Sequence, residues 1–166
     1  MSDAAAFAYA VDALTGQQIW KVKLEDYPVA RITGTSVFYN GRLYFPMSSG
    51  EELGSQQPGY VCCKFRGSLS AVDAATGRVI WKTYTIAQEA KVYKTIDLQG
   101  KDKSITKRDL WGPAGASIWS APTIDVKRKR IDGQQLHRRR RAHQRRHHGV
   151  RHGDRQGRVG EAGDGR

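Results

Sequence analysis

Three groups of side chains in this 166-residue chain are of kinds that do chemistry. Cys62 and Cys63 are adjacent. Neighbouring thiols either close a strained eight-membered ring or stay reduced, so they make a redox pair or two inert thiols, not a long-range staple. Glu51 and Glu52 lie in a stretch from 50 to 66 that contains Gly, Ser, Gln and Pro and reads as a loop. A carboxylate on a loop suits a hard cation that takes oxygen ligands; the plain alternative is a solvated acidic loop. The third group is a basic stretch from 127 to 166, with 14 Lys and Arg against 4 Asp and Glu and all five histidines. It carries most of the formal net charge of +12. Such an arm reads as a nucleic-acid contact or as a disordered polar tail. No aromatic residue follows Trp119, so the arm has no ring on which a base could stack, and this weighs against nucleic acid.

The elements that must position these groups announce themselves as a repeat. Ala10-Val11-Asp12-Ala13-Leu14-Thr15-Gly16-Gln17-Gln18-Ile19-Trp20-Lys21 returns as Ala71-Val72-Asp73-Ala74-Ala75-Thr76-Gly77-Arg78-Val79-Ile80-Trp81-Lys82. Each copy predicts a hairpin: an apolar strand to the Asp, a tight turn that uses the Thr-Gly pair, and a second strand ending at a Trp. The Asp caps the turn by accepting backbone N–H groups. The Trp lies flat between neighbouring sheets and buries a large apolar area. A sheet of this kind cannot bury both faces alone, so the repeat implies a propeller or solenoid. The copies stand 61 residues apart, more than the roughly 40–50 of a propeller blade, so an insertion separates them.

Between the copies, Ser36–Tyr39 and Arg42–Phe45 flank Asn40-Gly41, the strongest short-range hairpin signal. Residues 87–110 are polar and Lys-rich with no clear period, which predicts an exposed excursion. Residues 111–125 return to structure. No run of about 18 apolar residues indicates a membrane-spanning helix, and Met1–Ala6 lacks the basic and apolar regions of a secretory leader.

Residues 7–126 resemble the pyrroloquinoline quinone (PQQ) dehydrogenases, and most closely their polyvinyl-alcohol-dehydrogenase-like branch. The residues that carry the resemblance are the two repeats, Arg31-Ile32-Thr33-Gly34, Ser48-Ser49-Gly50-Glu51-Glu52, the Cys62–Gly67 stretch and Trp111–Pro122, in family order. The resemblance implies an all-β fold, a partial β-propeller of two to three blades out of eight. It implies that Thr33, Ser49, Gly50 and Glu51 lie at PQQ, that Glu52 ligates Ca²⁺, and that Ser117 and Trp119 contact the cofactor and form its floor. Cys62 and Cys63 are implied as a vicinal disulfide over the cofactor, although they follow the Thr and Glu motifs here and precede them in the alcohol dehydrogenases. Arg66 is implied as a contact to a cofactor carboxylate or quinone oxygen. The implied reaction is oxidation of an alcohol, with an aspartate base, Ca²⁺ polarising the quinone, and a cytochrome c accepting electrons in the periplasm. No residue of this chain matches the base.

The basic stretch 127–166 reads best as out-of-frame translation. Asp154–Gly160, shifted by one nucleotide, can encode Thr-Gly-Lys-Val-Val-Trp, which is the repeat motif again. Gln144–His152 and Asp132–His137 shift in the same register to Ser-Asp-Ala-Ile-Met-Ala-Phe-Asp and Thr-Gly-Asn-Asn-Tyr-Thr. The expectation is therefore a truncated quinoprotein fragment, inactive alone, with unpaired sheet edges that favour aggregation. The competing expectations are a PQQ-repeat scaffold that binds no cofactor and a nucleic-acid-binding protein that uses the tail.

Overall fold

The Asp-to-Trp units close as hairpins for the reasons their residues suggest. In the computed structural model, which describes residues 1–57, 59–99 and 104–133, β1 (Phe7–Val11) pairs antiparallel with β2 (Gln18–Lys23). In the turn between them, Asp12 Oδ1 accepts from Leu14 N at 3.0 Å, Thr15 N at 2.7 Å and Thr15 Oγ1 at 2.9 Å. The second copy, β6 (Ser68–Asp73) with β7 (Val79–Tyr84), repeats this. There Asp73 Oδ1 accepts from Ala75 N at 3.1 Å, Thr76 N at 2.9 Å and Thr76 Oγ1 at 2.8 Å. The donors around each carboxylate favour its charged form, so both groups titrate below the ordinary Asp range. For Asp12 the chief cause is the Thr15 N–H, and for Asp73 the Thr76 hydroxyl. Both copies also carry a bulge one residue before the Asp, between Ala10 and Val11 and between Ala71 and Val72.

The second hairpin belongs to a larger sheet. β4 (Val37–Tyr39), β5 (Arg42–Ser49), β6 and β7 pair in succession as an antiparallel four-stranded meander, which is the composition of a propeller blade. The β4–β5 turn has positive φ at both Asn40 (48°) and Gly41 (72°), the requirement of the hairpin turn that Asn-Gly signals. β1–β2 forms one separate two-stranded sheet and β10 (Thr123–Asp125) with β11 (Arg130–Asp132) another. The fold is all-β, with one four-stranded blade and a two-stranded half to either side of it in sequence. The insertion that the repeat spacing requires lies between β5 and β6, and carries one helical turn, α1 (Glu51–Gly54).

Alternation along the strands explains why β5 and β6 are apolar on both faces. Phe45, Met47 and Val72 join Ala6, Ala8, Trp20 and Leu24 from the first hairpin in one core. Tyr44, Leu69 and Ala71 join Ile118, with Ile124 and Ile131 packed against them, in a second core on the other face. The first core is locked by Trp20. Its ring is buried, 7% exposed, and its Nε1 donates to Ala74 O at 3.0 Å. The first repeat's Trp thus docks on the second repeat's turn. A Cβ at Gly77 would stand 2.6 Å from the Trp20 ring, whereas one at Gly16 would meet nothing within 4 Å. Both glycines have φ near +70°. Gly16→Ala is therefore expected to cost about 1 kcal/mol from backbone conformation alone. Gly77→Ala must also displace the indole, for about 1–3 kcal/mol more. Urea unfolding of the two variants checks the difference; equal losses would contradict the docking.

The described residues of 87–110, expected as an exposed excursion, are mostly exposed but regular. β8 (Lys91–Gln99) and β9 (Ile105–Gly112) pair antiparallel, with most residues exposed and none buried. A ribbon wet on both faces has no apolar alternation to reveal it. It is tied at its base by Arg108 Nη2 donating to Tyr60 O at 2.8 Å and by Lys64 Nζ 3.7 Å above the Trp111 ring. The boundary expected between 126 and 127 falls inside the β10–β11 hairpin. The rest of the basic tail, with its disordered and out-of-frame readings, lies outside the described residues.

Candidate functional site

The site is built where β5 ends. β3 (Ala30–Arg31) pairs with the last residues of β5, Arg31 opposite Ser48 and Ala30 opposite Ser49. Gly50 N donates to Val29 O at 2.8 Å and continues that pairing by one step. Past β3 the chain turns so that Thr33 Oγ1 lies 2.8 Å from Ser48 Oγ, while Ser48 Oγ donates to Arg31 O at 3.0 Å. Ser48 therefore fixes both the Arg31 backbone and the Thr33 hydroxyl.

The segment 115–120 is stitched to the same place. Ile118 N donates to Met47 O at 3.1 Å, Gly115 N to Phe65 O at 2.6 Å, and Gly67 N to Gly115 O at 2.9 Å. A side chain on Gly34 would fall 2.8 Å from both Pro46 Cγ and the Ser120 backbone, so Thr33-Gly34 and Trp119-Ser120 abut. The segments holding Thr33, Ser48–Gly50 and Ser117–Ser120 thus converge from across the sequence. Thr33 and Trp119 are exposed, Trp119 at 42%, while Ser49 and Gly50 are buried.

The other sequence-identified residues have different surroundings. Glu51, expected at the cofactor, is 4% exposed and turned inward. Its Oε1 accepts from Tyr27 OH at 2.6 Å, Lys64 N at 2.9 Å and Tyr60 OH at 3.4 Å, and its Oε2 accepts from Phe65 N at 3.1 Å. It clasps the loop that follows the cysteines. Burial, with the Glu51 bond second, pushes the Tyr27 phenol well above its ordinary range. Glu52 is exposed on α1, and its carbonyl accepts from Ser55 Oγ at 2.8 Å. Among the described residues, no group of three or more His, Cys, Asp and Glu is gathered for a metal ion. Cys62 and Cys63 are joined as a vicinal disulfide, half-buried beside Lys64. Arg66 Nη1 donates to Ala87 O at 3.0 Å and its Nη2 pairs with Glu89 at 3.3 Å, while the guanidinium lies 4.1 Å above the Tyr84 ring. Those contacts tie Arg66 to the loop after β7.

Two residues of the junction escaped the sequence reading. Ser48 is one. The other is Arg31, whose Nε is buried with no acceptor. Its guanidinium lies over Gly50, where an added Cβ would stand 2.8 Å from Nη2 and 3.0 Å from Cζ. The signal was available: Arg31 opens the Arg31-Ile32-Thr33-Gly34 stretch, two residues before Thr33. Arg31 with its unpaired Nε, the hydroxyls of Thr33, Ser49 and Ser117, and the exposed ring of Trp119 lie on the segments that meet here.

No protein-family model matches the chain. Over 130 residues, 78% of its length, it is 44% identical to a polyvinylalcohol dehydrogenase of Sphingopyxis sp. (strain 113P3). It is 46% identical over 127 residues to a polyvinylalcohol dehydrogenase of Pseudomonas sp. A quinohemoprotein alcohol dehydrogenase of Pseudomonas putida is 28% identical over 124 residues and 15% of that protein. The chain spans 19% of the length of each of the two polyvinylalcohol dehydrogenases. Among the described residues, no helix is long and apolar enough to cross a membrane.

Proposed function

Since this chain belongs, over about three quarters of its length, with a segment of the quinoprotein alcohol dehydrogenases, we propose that it is the part of a PQQ-dependent alcohol dehydrogenase that holds the cofactor from one side. The observation that carries the reading is the junction of Thr33, Ser48–Gly50 and Ser117–Ser120, made by the Thr33–Ser48 contact of 2.8 Å and the Ile118–Met47 bond of 3.1 Å. Ser49 and Ser117 supply hydroxyl donors for carboxylates, while Thr33, whose proton goes to Ser48, offers its oxygen as an acceptor. Trp119 gives one planar face something to lie on and keeps water from it. Glu52 offers one carboxylate to a Ca²⁺ ion, which takes 6–8 oxygen ligands, so the remaining ligands come from the cofactor and from other parts of a whole enzyme. The Cys62–Cys63 disulfide serves as a cover close to the same loop. When bound, PQQ supplies the two-electron oxidising chemistry, and the protein supplies orientation and electrostatics.

The names of the relatives point to a polymeric secondary alcohol, polyvinyl alcohol, as substrate of the whole enzyme. A cytochrome c is the proposed electron acceptor and the periplasm the proposed compartment. Because the chain covers about a fifth of those relatives, turnover is proposed to need the remaining blades, and this chain alone does not oxidise alcohol.

Titration of the full chain with PQQ in the presence of Ca²⁺, followed by tryptophan fluorescence, tests the reading. Saturable quenching in the micromolar range, about −8 kcal/mol, is expected, with a smaller amplitude in Trp119→Leu. Quenching that never saturates, or that Trp119→Leu leaves unchanged, overturns it.

A further inference from the structure

We propose that Arg31 is the carboxylate anchor of this site, a positioning residue that receives an acidic group of the cofactor; this rests on the reading of the junction as a quinone-holding site. A buried N–H without an acceptor costs of order 1–3 kcal/mol and is rare in native folds unless something absent satisfies it. Arg31 Nε is such a group. Among the described residues, no carboxylate pairs with its guanidinium. The carboxylates that follow Gly50 are otherwise engaged or turned away: Glu51 is spent on Tyr27, Lys64 and Phe65, and Glu52 is exposed on α1.

The surroundings are organised to hold this cation in place. The backbone of Arg31 is fixed by pairing with β5 and by the Ser48 hydroxyl on its carbonyl. Gly50 lies so close that any side chain there would meet the guanidinium. Two residues on, past the end of β3, Thr33 is exposed with its hydroxyl held by Ser48. A rigid planar fork suits a planar carboxylate and pairs with it through two parallel N–H donors. The ligand class that fits is therefore a flat, polycarboxylated ring system whose acid edge reaches Arg31 while its face meets the Trp119 side of the junction.

The test uses the full 166-residue chain and six titrations at about 0.5 M salt, where the screening length of only a few ångströms suppresses loose attraction to a chain of net charge +12. The probe is PQQ, with PQQ trimethyl ester as the uncharged control. Loss of one charge-assisted bidentate contact is expected to weaken PQQ binding by Arg31→Gln about 10- to 100-fold. Arg31→Lys, which keeps the charge and loses the fork, falls between Gln and the parent. The ester binds parent and Arg31→Gln alike. Gly50→Ala displaces the far end of the Arg31 side chain without removing it, so it should weaken PQQ binding at least about tenfold with an unchanged melting temperature. This variant decides the matter if Arg31→Gln does not fold. Saturable binding that Arg31→Gln, or failing that Gly50→Ala, leaves within about twofold of the parent overturns Arg31 as anchor and leaves the site reading standing. Absence of saturable PQQ binding by the parent overturns the site reading, and the anchor with it.

Discussion

Trp20→Ala is expected to remove about 3–5 kcal/mol of folding stability, the cost of emptying a large aromatic site from a core. Trp20 is the only Trp among the described residues that is buried, and it spans two repeats, packing on Gly77 and donating to Ala74 O. Typical domain stability is about 5–15 kcal/mol, so the loss leaves little margin. The equivalent Trp81 is half-buried and tilts against Tyr44 at 6.0 Å between ring centroids. Trp81→Ala should therefore cost roughly half as much as its counterpart. The exposed Trp119→Ala should stay within about 0.5 kcal/mol of the parent. Denaturant midpoints at constant slope provide the ranking. Equal costs for Trp20 and Trp81 would mean that the two hairpins are merely similar, with no interlock between them.

Glu51→Gln is expected to cost about 2–4 kcal/mol, since it replaces one acceptor oxygen by an NH₂ donor among four donors. Whichever way the amide turns, its NH₂ group faces the Tyr27 hydroxyl and the Lys64 N–H or faces the Phe65 N–H. The loop carrying Cys62 and Cys63 would loosen, seen as faster amide exchange at Lys64 and Phe65. The same cluster sets an alkaline limit. The Tyr27 phenol is raised in the folded chain, so its contribution is fully present below the unfolded value of about 10 and is lost as pH rises through the folded one. Glu51→Gln removes the second-largest cause of that rise, which should lessen the alkaline loss. A variant with unchanged stability and unchanged loop exchange would show that the carboxylate is not the clasp.

The repeat architecture was legible because it is local. Asp, Thr and Gly at fixed offsets determine the turn by hydrogen bonds within five residues, and both copies close alike. Asn40-Gly41 was legible for the same reason. The orientation of Glu51 and Glu52 was not. On one helical turn successive residues point about 100° apart, so one carboxylate enters the core and its neighbour faces water. Sequence adjacency gives no way to choose, and the resemblance named both. Arg66 was read from its neighbourhood to the cysteines, while its partners, Ile86, Ala87 and Glu89, lie some twenty residues on. Arg31 was passed over because a lone Arg in a strand usually snorkels to solvent. Its significance appears only when Gly50 and Ser48 are seen against it.

Under the proposed function, these residues divide the labour between holding the fold and holding a ligand. Trp20, Gly77 and Glu51 brace the blade and its insertion. Arg31, Ser49, Ser117 and Trp119 are left with donors or a face to offer, and Thr33 with an acceptor oxygen.

The most direct test is amide shift mapping of the full chain on addition of PQQ and Ca²⁺ at elevated salt. The account predicts the largest shifts at Arg31, Thr33, Ser48–Glu52 and Ser117–Ser120, with the Asp12 and Asp73 turns unmoved. Shifts spread over the Lys-rich β8–β9 hairpin and the Arg-rich stretch, with the junction silent, would contradict it.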